Sequence, residues 1–130
     1  MAGFEDVKKM VEALGLKPEK EDIQEEFVVV SDIENGINAL IIDCEDPILV
    51  LEMKVMGFHE GVDPVRLLQM NRNMVHGAFV LDENGENILW RDTLQLENLD
   101  LNELQGSINA LSLAMNENAA ELITLAKGGN

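Results

Sequence analysis

Positive charge is scarce in this chain: 9 lysines and arginines stand against 25 aspartates and glutamates, a net charge of −16. A field of that sign repels phosphate backbones and anionic lipid headgroups, so neither nucleic acid nor a membrane is an expected partner. Cysteine is scarcer still. Cys44 stands alone, which forbids an intramolecular disulfide and excludes a disulfide-stapled secreted domain. Aromatics are few, with 4 Phe, 1 Trp and no Tyr, and the basic residues are too scattered to form a stripe among them. Long hydrophobic runs are missing as well. The stretch that begins at Ile48 is interrupted by Glu52 and Lys54, well short of the ~20 apolar residues of a membrane span. Met1 to Leu14 alternates charged with apolar residues and offers no signal-peptide core, so a cytoplasmic location is expected.

What remains suffices for one folded domain over residues 1–130: 46% of the residues are hydrophobic, in periodic runs that argue against disorder. Phe4, Val7, Met10, Val11 and Leu14 recur at helical spacing, with Gly15 placed to cap the helix end and Pro18 beyond it. Glu19 to Glu26 reads as an acidic, solvated connector. Three strands follow. Phe27–Val30 leads through Glu34-Asn35-Gly36, a hairpin-type turn, to Ile37–Cys44. After Asp46-Pro47 comes Ile48–Phe58, with Leu49, Leu51, Met53 and Val55 on one face.

Asp63-Pro64 starts a second helix, with an N-cap carboxylate and proline at the first helical position. It is expected to run to about His76, where Gly77 ends it. Ala78–Leu81 and Asn87–Leu96 are two further strands, joined by a Glu83-Asn84-Gly85 turn. Asp100 with Glu103 opens a third helix, whose stripe includes Leu104, Ile108, Leu111, Met115 and Leu122. The tail Lys127-Gly128-Gly129-Asn130 is expected to fray. The order α-β-β-β-α-β-β-α with tight hairpins predicts an α+β domain: an antiparallel sheet with helices packed on it.

Catalytic signatures are not found. Asp82-Glu83-Asn84-Gly85-Glu86 fails as a calcium loop, because glycine falls two places early and Thr93 occupies the position of the bidentate carboxylate. His59, His76 and Cys44 lack zinc-ligand spacing, and no phosphate-cradling glycine pattern occurs. Cys44 lies among Asp43, Glu45 and Asp46, which disfavour a thiolate. No catalytic residue, metal or cofactor is expected, and the chain is read as a non-enzyme. Met53, Met56, Met70 and Met74 serve either as core filler or as an adaptable binding surface.

The second helix is unusual. At about 100° per residue, Val65, Leu68 and Val75 fall on one side, and Leu67, Met70 and Met74 on the other. A helix lying on a sheet needs one apolar stripe, so the second must be covered by another layer of the domain or by a partner. Domains of this size seldom have three helical layers. A homodimer with Leu67, Met70, Met74, Val65 and Leu68 at its interface is therefore expected.

Leu67-Leu68-Gln69-Met70-Asn71, then Gly77-Ala78-Phe79-Val80-Leu81-Asp82, Asn87-Ile88-Leu89-Trp90 and Leu94-Gln95-Leu96-Glu97-Asn98-Leu99-Asp100 together resemble a family pattern. The pattern is similar to that of the class I type III secretion chaperones of the Tir-chaperone type, bacterial proteins, and to YbjN-like proteins of the same architecture. The resemblance covers nearly the whole chain. It implies a homodimer about helix two and client chains wrapping in extended form over apolar grooves of helix one and the sheet. Carried onto this chain, the groove would comprise Phe4, Val7, Val11, Phe27, Val29, Ile37 and Ile41. The expected function is that of a small acidic protein-binding chaperone, working without ATP on a secretion-effector-like client. The alternative is a YbjN-like regulator or adaptor that binds a folded partner.

Overall fold

Alternating apolar positions and closely spaced turns direct the middle of the chain into one sheet. The computed structural model describes residues 2–128. Strands β1 (Pro18–Asp22), β2 (Phe27–Asp32), β3 (Ile37–Glu45), β4 (Ile48–Gly57), β5 (Ala78–Leu81) and β6 (Asn87–Gln95) join helices α1 (Phe4–Ala13), α2 (Pro64–Asn71) and α3 (Leu101–Ala126). The sheet is antiparallel throughout, in the order β1-β2-β3-β4-β6-β5. The α+β architecture matches the sequence reading, with one strand more than expected.

That strand is β1, in the segment read as a solvated connector. Its residues are mostly exposed, so no buried face marks it as a strand. Pairing with β2 holds it, together with Lys8, which bridges Glu21, and Lys20, which lies over the Phe27 ring at 5.5 Å. Charge and a proline suit it to a sheet edge. The Glu34-Asn35-Gly36 turn also differs from a two-residue hairpin. Ile33–Asn35 forms a 3-10 turn closed by Gly36 in the left-handed region.

Helix α2 ends at Asn71, earlier than His76. Beyond it the chain turns, and Gly77, at φ +76°, presses against Trp90. A β-carbon there would lie 2.5 Å from the Trp90 ring, so glycine is required by space as well as by backbone angle. The predicted caps are present. Asp63 accepts from the Val65 N–H at 3.0 Å, and Asp100 and Glu103 form a reciprocal capping box. At the far end of α3, His59 bonds the Ala126 carbonyl through Nε2 at 3.2 Å. Gly61 packs directly on Gly128, fixing the helix end to the β4–α2 loop. Gly129 and Asn130 of the expected tail lie outside the described residues.

All three helices cover the same face of the sheet. Val7 and Val11 of α1 and Leu104, Ile108 and Leu111 of α3 pack with Val28, Val30, Leu40, Ile42, Leu49, Leu51 and Trp90. A second cluster joins Leu67 and Met70 of α2 to Phe79, Ile88, Leu122 and Leu125. The accessible surface is 7692 Å², about a tenth above the norm for a protein of this mass. A sheet clothed on one side leaves such an excess.

Candidate functional site

Directly paired residues of an antiparallel sheet share a face, so register identifies the side away from the helices. One row across it reads Lys20, Val29, Ile41, Glu52, Arg91 and Ala78. The next reads Asp22, Phe27, Asp43, Val50 and Thr93, and a third holds Lys54, Leu89 and Val80. The result is an apolar band with charged residues interspersed. Ile41 is 39% exposed, while Phe27 and Val29 are half-buried.

The residues expected to receive a client thus divide into two groups. Phe27, Val29 and Ile41 lie on the open face. Phe4, Val7, Val11 and Ile37 are buried between α1, α3 and the sheet, where a client would have to displace the helices. The helical spacing of Phe4, Val7 and Val11 marks a buried stripe, and periodicity alone does not tell core from groove. Val50, Leu89 and Val80 extend the band but were missed. Val50 pairs directly with Asp43 of β3, whereas only the β4–β6–β5 register brings Leu89 and Val80 into the same band.

The residues expected at a dimer interface divide likewise. Leu67 and Met70 are buried within the chain and Met74 is half-buried. Val65 and Leu68 are 59% and 68% exposed, and Val75, in the turn after α2, is 69% exposed. Beside Leu68 an apolar groove of about 240 Å³ runs over Phe58, Pro64, Phe79, Val80 and Leu81. The outward stripe therefore continues onto the end of β5. Arg66 links α2 to Glu121 of α3 through two hydrogen bonds, the longer 2.8 Å.

The electrostatics of the open face centre on Asp43. Burial between its neighbours pushes its carboxyl up to about 6, aided by the adjacent carboxyl of Glu45 and by the charges of Glu25 and Glu52. Its Oδ1 is buried without a hydrogen-bond partner. Cys44 is half-buried. Desolvation, with the carboxylates of Glu26, Asp43 and Glu45, pushes its thiol up to about 11, the opposite of what a nucleophile needs. Among the described residues, no three His, Cys, Asp or Glu side chains come together as a metal site. Among the described residues no helix is long and apolar enough to cross a membrane.

The CesT_Tir_1 family model matches residues 1–128. No curated protein sequence matches the chain. Among solved structures, a chain of the HopA1–SchA chaperone–effector complex has a TM-score of 0.61 at 17% identity, with 95% of this chain and 94% of that one covered. A chain of the heterodimeric ExoU–SpcU complex from the type III secretion system of Pseudomonas aeruginosa has a TM-score of 0.63 at 15% identity, covering 92% and 96%. An uncharacterized protein from Methanothermobacter thermautotrophicus has a TM-score of 0.64 at 18% identity, covering 92% and 95%. At these identities the likeness is one of fold.

Proposed function

The chain belongs to the CesT_Tir_1 family, a class I type III secretion chaperone-like family, and from that premise we propose that it is a small ATP-independent chaperone. It dimerises through the outward stripe of α2 and holds an extended segment of an effector-like client on the open face of its sheet. The observation that carries this reading is the one-sided sheet: helices cover one face, and Phe27, Val29 and Ile41 form an accessible apolar band on the other. Burial of a client's apolar side chains there gains about 25 cal/mol per Å² of surface removed from water. The charge of −16 keeps so adhesive a surface soluble.

The test is suppression of aggregation of an unfolded client, without nucleotide, by the native chain and by Val29→Glu and Ile41→Glu. Loss of suppression in variants with unchanged circular dichroism supports the reading. Full suppression by both variants overturns it. Tight binding of a folded partner, with no effect on unfolded chains, favours the YbjN-like adaptor instead.

A further inference from the structure

The open face is not uniformly charged. Near its middle, Glu52 is matched by Arg91 at 3.1 Å, and Lys54 stands beside Leu89 on the side toward β5. Toward the β3–β4 turn the balance is different. Asp43 sits between Phe27 and Val50 in its row, and Glu45 lies two residues along the same face, beside Ile48. Glu25, from the β1–β2 turn, and Glu52, from β4, add negative charge toward Asp43, and Asp22 ends its row. The cation on that side, Lys20, lies over the Phe27 ring. Among the described residues no ion pair includes Asp43.

A carboxylate between Phe27 and Val50 with no ion-pair partner and with a shielded Oδ1 that accepts no hydrogen bond is costly, because the lost hydration is not replaced. A partner with only apolar side chains would increase that cost by excluding the remaining water. A partner carrying a cation would remove it. Resting on the chaperone reading above, we propose that the open face recognises an apolar segment bearing one lysine or arginine, whose cation pairs with Asp43. Apolar neighbours of that residue cover Phe27, Val29, Ile41 and Val50, and Glu45 provides a second acceptor. Selection of this kind arises from the penalty on a mismatched partner as much as from the attraction of a matched one.

The test uses the full chain and three fluorescein-labelled peptides, identical and apolar except for a central Lys, Gln or Glu, with anisotropy as the readout at about pH 7.5. The expected order is Lys over Gln by about tenfold, with Glu weakest. Asp43→Asn should abolish the preference for Lys, weakening the Lys peptide and strengthening the Gln peptide until the two bind alike. As a second readout, the Asp43 carboxyl resonance should titrate at lower pH when the Lys peptide is bound. Equal affinity for Lys and Gln peptides, or a preference that survives Asp43→Asn, overturns the proposal and leaves the chaperone reading intact. Binding of none of the three, or binding unaffected by Ile41→Glu, overturns the sheet-face reading along with it.

Discussion

The side-chain amide of Asn71, the last residue of α2, spans the backbone of Phe79 on β5. Its Nδ2 donates to the Phe79 carbonyl at 3.1 Å, and its Oδ1 accepts from the Phe79 N–H at 2.7 Å. β5 is the outer strand on its side of the sheet, so Asn71 occupies backbone groups that another strand would otherwise pair with. It also binds the end of α2 to the sheet, which accounts for the helix stopping there.

Asn71→Leu should therefore destabilise the fold by about 1–3 kcal/mol. Exchange of the Phe79 amide should accelerate more than that of its neighbours in β6. Asn71→Asp keeps the acceptor and loses the donor, and its loss should be intermediate. Wild-type exchange at Phe79 in Asn71→Leu would contradict this account.

Gly77→Ala would place a β-carbon 2.5 Å from the Trp90 ring at a backbone φ of +76°. Strain and overpacking together should cost about 2–4 kcal/mol. The Trp90 fluorescence maximum should move to longer wavelength as the ring loses its cover. Denaturant unfolding followed by fluorescence measures both effects.

Substitutions on the two stripes of α2 should differ in kind. Leu67→Glu buries a charge among Phe79, Ile88 and Leu122 and should unfold the chain. Val65→Glu with Leu68→Glu should leave the fold intact and, if α2 forms the proposed dimer interface, halve the mass measured by light scattering. An unchanged mass in that double variant argues against α2 as the interface.

Asp43 titrates at about 6 in the fold, against about 3.9 in an unfolded chain. The folded state holds this proton more tightly, so the stability it contributes is complete below about pH 4 and is lost as pH rises through 6. Asp43→Asn should accordingly raise Tm by about 2–5 °C at pH 7.5, an effect limited by solvent screening. The two proteins should converge near pH 4. An equal Tm at both pH values would refute the effect.

With its thiol raised to about 11, Cys44 should react with a disulfide reagent at pH 8 about a hundredfold more slowly than free cysteine. Denaturant should abolish the difference. A rapid reaction in the folded protein would show the thiol to be far more accessible than its half-burial implies.

The elements legible in the sequence were those with a buried side. Leu49, Leu51 and Met53 mark β4 by alternation, and Leu104, Ile108 and Leu111 mark α3 by helical spacing. β1 was illegible because Pro18 to Glu21 are all exposed. The two stripes of α2 are legible in the sequence up to Asn71, but the chain turns there, so Met74 and Val75 do not hold the helical positions that their spacing predicts. The open face was legible only in part. Phe27, Val29 and Ile41 lie on adjoining strands, whereas Val80 and Leu89 join them only because β6 pairs with β4 rather than following β5 outward. Long-range register of that kind leaves no local mark in the chain.

The placement of β6 between β4 and β5 sets an order in time. β1 to β4 pair with sequence neighbours and form as each strand emerges. The outer side of β4 stays bare until Asn87–Gln95 has been made. At ordinary rates of synthesis that interval is about 2–8 seconds, during which an apolar strand edge stays exposed. A chain proposed to keep other polypeptides unfolded thus passes through a stage in which it is itself the exposed substrate, and premature release at that stage would yield a sheet with an unsatisfied margin.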